Sequence, residues 1–424
     1  MPLSATFQRL AALVVALLLV GTAAAASPQS GSSSSTTPAE IGADCSIASS
    51  AMRSVSKIRG LAQRREVPCR VRNREEVESY LRATIERRVS AKSMAHEERA
   101  YKLLGLIPAD FAYLEGLVAL YTAQIGGYYD PEQRYYAMAA WLPQALQLPI
   151  AIHELTHALQ DQHYHLAELM DEDRSDTDTL LARLALAEGD ATAVMIDYSR
   201  QLRGQTALAK EKSVSGLVMQ NVTGAMLTSS MTKAPSTLQA LVVFPYLSGL
   251  NFVHQLLRHG GYRAVDRAFK RPPISTEEIL HPQQYLRARN SYRKLDPLPL
   301  QTQDQARLGE AVLTDTLGEF FISTLLSSLI PTNQAAQAAA GWAGDRLALY
   351  LPADRPLGVL TWALVWDSAA DAQEFYLSMA KFYEKRLEMA PEVIDSRMLW
   401  RNSPVGNVVL SLAGTEASLT IGFP

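Results

Sequence analysis

The chain has 424 residues, with 40 Lys and Arg against 43 Asp and Glu for a net charge of −3, and 48% of its residues are hydrophobic. That length suits a two-lobed body or two domains. The near-neutral balance lacks the basic excess that nucleic-acid binding leaves, so nucleic acid is not an expected partner.

At the N-terminus, Arg9 precedes the apolar run Leu10–Val20, and Ala23–Ala26 offers small residues for a signal peptidase. The run is shorter than the roughly 20 residues that span a bilayer. Met1–Ala26 therefore reads as a cleaved signal peptide that leaves no stable transmembrane span, and the expected location is secreted or periplasmic. Ser27–Asp44 opens rich in Ser, Thr, Pro and Gly, too polar to bury anything, and reads as a flexible linker. Cys45 and Cys69 are the only cysteines. In an oxidising compartment they are expected to pair, and they lack the further thiols at C-x-x-C spacing that a metal role would need.

Arg74–Glu98 is charged with Val77, Leu81, Ile85 and Val89 on one stripe, the pattern of a single solvated helix, and Phe111–Gln124 reads as a second. Ile125–Pro131 then changes towards strand and turn, and Arg134–Met138 returns, which makes a β-hairpin. Gly126 and Gly127 permit close backbone approach there. Such an edge either adds an extended peptide through main-chain hydrogen bonds or simply covers the core.

Next, Ile150–Gln160 holds His153, Glu154 and His157 in the H-E-x-x-H arrangement. Ile152, Leu155, Ala158 and Leu159 recur at three- and four-residue steps, so the segment after Pro149 is an amphipathic helix. On a helix, residues four apart share a face, and the two imidazoles can share one ion. Either histidine alone would read as a core residue; the pair beside Glu154 points to zinc, with Glu154 as the general base that takes a proton from activated water. Asp161, four after His157, is the candidate outer partner. His163 and His165, two apart, point to opposite sides and read as helix-end groups or as outer groups behind the ligands, and Asp171–Asp178 reads as a solvated acidic loop.

In Leu180–Leu202 the stripe Leu181, Leu184, Ala191, Met195 encloses Glu188. A carboxylate there needs a partner, because an unpaired buried charge costs several kcal/mol. Glu188 is assigned as the third zinc ligand, a salt bridge to an arginine being the plainer alternative. Asp190 competes for the role but lies about 200° round the helix. Gly189, which costs a helix about 1 kcal/mol relative to Ala, marks close packing against another element.

His153-Glu154-x-x-His157 followed by Glu188-Gly189-Asp190-Ala191 on a later helix resembles the gluzincin branch of the zincin metallopeptidases, in which two histidines and a downstream glutamate bind one zinc. More narrowly, Gly127-Tyr128-Tyr129-Asp130-Pro131, the segment from His153 to Gln162, the Glu-Gly-Asp-Ala run and Ser275–Pro282 are similar to a family of exported prokaryotic metallopeptidase-like proteins. The likeness spans roughly Leu104 to Trp366. The gap between His157 and Glu188 is wider than in the thermolysin type.

Leu238–Phe269 reads as helical, with breaks at Pro245 and Gly260-Gly261, and not as a membrane span because Asn251, His254 and Gln255 interrupt it. His281, in the following loop, is a candidate oxyanion donor opposite the metal, though a lone loop histidine is more often structural. Beyond Ala340, Arg346–Leu351, Val359–Trp366, Met398–Trp400, Val408–Leu412 and Leu419–Ile421 read as strands and Asp371–Glu388 as an amphipathic helix.

These readings define an α+β protein. A mainly helical, zincin-like body over Cys45–Ile330 has a small sheet and a hairpin before the H-E-x-x-H helix, and Pro331–Pro424 forms a C-terminal α+β module. The expected activity is that of a zinc metallopeptidase acting on a peptide or protein. The alternatives are a zincin scaffold that binds or assembles without turnover, and a metal-dependent amidase of cell-wall peptides.

Overall fold

A computed structural model describes residues 45–88, 90–171, 175–214, 216–217, 233–287, 292–299, 302–395 and 397–423. The expected signal peptide, the linker and Val89 lie outside the described residues. The chain is an α+β fold with a mainly helical body, a small sheet and a larger antiparallel sheet.

Helix α1 (Ala48–Arg59) buries Ala48, Ala51, Met52, Val55 and Arg59, one face at helical spacing, and ends where Gly60 takes a left-handed conformation at φ 73°. A disulfide between Cys45 and Cys69 ties its entry to strand β1 (Cys69–Arg72). The single helix expected over Arg74–Glu98 is instead two, α2 (Arg74–Arg88) and α3 (Ala91–Leu104). Ser90 explains the break: its side chain accepts from the Ser93 N–H at 3.0 Å and starts a new helix. The start of α2 is a reciprocal cap in which Asn73 and Glu76 exchange side-chain-to-backbone bonds of 2.9 and 2.8 Å.

After α4 (Tyr113–Gln124), β2 (Gly127–Asp130) and β3 (Tyr135–Ala139) form the expected antiparallel hairpin. Asp130 Oδ1 shapes its turn by accepting from the N–H groups of Glu132 and Gln133 at 2.8 and 2.7 Å. Strand β1 joins β3 in parallel, so the sheet order is β1-β3-β2 and β2 lies at an edge. Four residues reading Cys-Arg-Val-Arg carry too little hydrophobic pattern to announce that strand.

Helix α5 (Gln144–Tyr164) carries His153, Glu154 and His157 and starts earlier than expected, with Pro149 inside it. Only one hydrogen bond, to the carbonyl of Ala145, is forgone near that end. Helices α6 (Thr177–Leu202) and α7 (Ser236–Gly260) cross at Gly189 and Gly249, where a methyl group on either would collide with the other helix's backbone. This is the close packing that Gly189 implied. Pro245 lies inside α7 and does not break it; the break comes at Gly261 (φ 60°, ψ −162°), a conformation reserved for glycine, before α8 (Tyr262–Lys270). By length and composition α7 could cross a membrane, yet 67% of its apolar window is buried within the fold and it packs along α6 as a core helix.

Helix α9 (Thr276–Leu280) is capped by Ser275. The larger sheet is antiparallel throughout in the order β4-β5-β6-β10-β9-β8-β7, from β4 (Leu313–Asp315), β5 (Trp342–Tyr350), β6 (Val359–Trp366), β7 (Glu392–Ile394), β8 (Arg397–Ser403), β9 (Gly406–Ala413) and β10 (Glu416–Phe423). Helix α12 (Ala369–Leu387) packs on β6, β9 and β10, while α10 (Gly318–Ser327) and α11 (Thr332–Ala339) join the sheet to the body. Strand β4 precedes Pro331, so the sheet takes its first strand from the segment read as the body.

Candidate metal centre

Helix α5 presents His153 and His157 from adjacent turns, and α6 brings Glu188 across to them. His153 Nε2 lies 3.1 Å from Glu188 Oε2, His157 Nε2 lies 3.5 Å from the same oxygen, and the two Nε2 atoms are 3.0 Å apart. All three residues are 1% exposed or less. Two neutral imidazoles cannot point lone pairs at each other at that distance and both at a carboxylate without a cation or a proton between them. Electrostatics agree. Burial works against charge on His157, but Glu188 outweighs it and lifts the imidazole to about 9, while burial lowers His153 to about 4. Burial also opposes charge on Glu188, but His157 and His153 keep its carboxylate below the ordinary range.

The donor set fits zinc. Ligands about 2.0–2.1 Å from a tetrahedral zinc lie roughly 3.3 Å from one another, and the three observed separations bracket that value. Glu188, not Asp190, converges on the histidines; Asp190 turns away to Arg59, whose Nε lies 2.9 Å from its Oδ1. The opposite helix faces of the two carboxylates account for the division.

Glu154 faces the sheet instead of the cluster's centre. Its Oε2 accepts from the backbone N–H of Tyr129 on β2 at 3.0 Å, and its Oε1 is buried without a hydrogen-bond partner among the described residues. Burial pushes this carboxyl well above the ordinary range, and His157 acts in the opposite direction. Tyr129 is anchored in turn by its hydroxyl, 2.9 Å from Asp161 Oδ2.

Several outer assignments change. Asp161, the expected outer candidate, bonds Tyr129 and Arg65 and so stands behind Glu154, while Gln160 meets His157, with Oε1 2.8 Å from Nδ1. His163 bonds the Ala62 carbonyl, and His165 caps the end of α5, so neither joins the cluster. His281 Nε2 lies 2.9 Å from Glu319 Oε1, and that bond raises its pKa; its partner is this carboxylate. The Ser275–Pro282 segment is structural: Ser275 caps α9, Glu278 Oε2 accepts from the Ile274 N–H at 2.8 Å, and Thr276 donates to Asp178.

Tyr246 was not singled out by the sequence reading. It stands one turn before Gly249, so the glycine crossing sets it against Glu188 with its ring centroid 6.3 Å from that of His153. Burial, then the carboxylates of Glu188 and Glu154, push its hydroxyl well above the ordinary phenol range. A small residue on each helix marks where such a crossing falls, but not which helix will supply the partner.

A family model described as a domain of unknown function (DUF8575) matches residues 305–421. That segment holds the larger sheet and α12, and the buried histidines and glutamate lie outside it. No curated protein matches the chain, and no solved structure does.

Proposed function

We propose that this protein is an exported zinc metallopeptidase of the gluzincin kind. The observation that carries the reading is the convergence of three buried ligand atoms at 3.0 to 3.5 Å separations beside a carboxylate that is not one of them. His153, His157 and Glu188 would hold the metal. Zinc, when bound, supplies Lewis-acid polarisation of the scissile carbonyl and acidifies the attacking water.

The chain's own residues account for the rest. Glu154, held at Oε2 by the Tyr129 N–H, keeps Oε1 for the proton of the attacking water and returns it to the leaving nitrogen as the C–N bond breaks, giving a carboxylate and an amine. Tyr246, against Glu188, is the donor for negative charge developing on the carbonyl oxygen, in the role first considered for His281. A polypeptide substrate is supported by β2. The N–H of Tyr129 turns outward from the buried sheet edge and is taken by Glu154, and the alternation of an antiparallel pair turns the N–H and C=O of Gly127 the same way, towards an added strand. Because the cluster is buried, substrate entry requires movement of the elements around it. Export is supported by the disulfide.

The test is Glu154→Gln in the chain lacking residues before Cys45, assayed on a broad peptide library with a chelator control. Zinc content is expected to be unchanged and hydrolysis to fall by at least about 10²-fold. Equal cleavage by both proteins would refute the mechanism. Cleavage by neither, with a shared binding partner, would favour a scaffold without turnover.

A further inference from the structure

We infer that Gln160, backed by Asp190 and Arg59, is the positioning residue that sets the tautomer of His157 and with it the affinity of the centre. The inference rests on the metal-site reading above. Gln160 Oε1 lies 2.8 Å from His157 Nδ1, and its Nε2 lies 3.0 Å from the Ala187 carbonyl and 3.0 Å from Asp190 Oδ2. A backbone carbonyl can only accept, so the nitrogen of this amide must face Ala187 and its oxygen must face the imidazole. That oxygen can only accept as well. His157 is thereby required to donate from Nδ1, which leaves the lone pair on Nε2, the atom that faces His153 and Glu188.

The chain continues outward to a buried ion pair. Arg59 Nε meets Asp190 at 2.9 Å, its Nη1 meets Asp266 at 2.7 Å, and its guanidinium stands 4.9 Å from the ring centroid of Tyr262. Asp190 is locked by Arg59 on one side and holds the Gln160 amide on the other. The negative charge thus sits one residue further from the imidazole than in a direct carboxylate–histidine pair, and Arg59 balances it. An amide at this position orients the ring without adding charge to the ion's surroundings. Among the described residues His153 has no counterpart to this support: its Nδ1 is buried without a hydrogen-bond partner there.

The experiment measures zinc affinity by chelator competition and the His157 Nδ1–H signal by long-range nitrogen-15 NMR of the zinc-loaded protein, for wild type, Gln160→Met and Gln160→Glu. Met keeps the length and removes the acceptor; Glu restores an acceptor towards His157 while losing both donor bonds, to Ala187 and to Asp190. Expected are a roughly 10- to 100-fold weaker affinity and loss of the protected Nδ1–H in Gln160→Met, with both recovered in Gln160→Glu. Wild-type affinity together with an intact Nδ1–H in Gln160→Met overturns the inference and leaves the metal site standing. Equal losses in both variants, with no Nδ1–H signal in Gln160→Glu, reduce Gln160 to packing and also overturn it. If wild type binds no zinc, the metal-site reading fails first. Should Gln160→Met not fold, Gln160→Glu against wild type still decides through the Nδ1–H signal.

Discussion

At the N-terminus of α6, Asp315 accepts from both the backbone and the hydroxyl of Thr177, and Asp178 accepts from the Thr276 N–H and hydroxyl. Nearby, Asp345 on β5 takes four N–H donors, from Leu317 and Gly318 and from the indoles of Trp342 and Trp362, at 2.8 to 3.0 Å. About three turns along the same helix, Glu188 meets His153 and His157, and the atoms that face one another there are all candidate acceptors. Both regions are buried carboxylate clusters. In the first, Asp315, Asp345 and Oδ1 of Asp178 are satisfied from within by hydroxyls and N–H groups, as a structural joint between the helical body and the larger sheet requires. The second is completed either by a proton on one of its imidazoles or by a cation at its centre, and that difference separates a joint from a candidate ligand site.

Removing one member from each cluster should therefore act on different quantities. Asp345→Ala strands four buried donors and is expected to cost about 3–5 kcal/mol in chemical or thermal unfolding of the metal-free protein. A loss under about 1 kcal/mol would mean that the joint is not needed. Zinc should instead stabilise the other cluster, by about 2.7 kcal/mol at a free concentration 100 times its dissociation constant. In His153→Ala and Glu188→Ala that gain should vanish, with zinc content by elemental analysis falling from about one per chain towards zero. Undiminished zinc in both would remove the site from these residues.

Proton release sharpens the same contrast. Of the two imidazoles, His157 is raised against burial to about 9 by Glu188 and His153 is lowered to about 4 by burial, so at pH 7 His157 is the one with a proton for zinc to displace. Binding should release about one proton, and affinity should rise about tenfold per pH unit between roughly pH 5 and 8. Calorimetry in buffers of different ionisation heat measures it, and a pH-independent affinity would contradict the proton-filled cluster.

The smallest effect belongs to the joint. Burial, then Glu319 and Asp367, raise Glu277 to about 7 from its ordinary 4.5. The folded state thus binds this proton more tightly than the unfolded chain, and the associated stability is complete below about pH 4.5 and lost as pH rises through about 7. Glu277→Gln should remove that loss, raising the melting temperature by roughly 2 °C at pH 8 and by nothing at pH 4. An equal shift at both values would show that packing, not titration, is responsible.

Reading by spacing worked where one helix carried the information. His153 and His157 stand on adjacent turns of one helix, and the helix converts their four-residue separation directly into a shared face. Glu188 was legible because a carboxylate inside an apolar stripe must have a partner, although nothing local named that partner. The same logic stops short at Asp161. Spacing allowed it and Gln160 equally, and the choice fell to Tyr129, which drew Asp161 to the hairpin, and to the Ala187 carbonyl, which claimed the Gln160 amide.

Local pattern by itself determined the helix that bears the histidines, the hairpin ahead of it, the α+β alternation of the C-terminal part and the pairing of the two cysteines, since each depends on periodicity or on having no other choice. Only the tertiary structure decided that Arg59 stands behind Asp190, 131 residues away, that Tyr246 leans on Glu188, and that Tyr129 restrains Glu154. Those contacts follow from which helices cross at Gly189 and Gly249 and which strand lies at the sheet edge. Crossings and edges arise from packing between distant segments, and packing leaves no period in the chain for a reader to find.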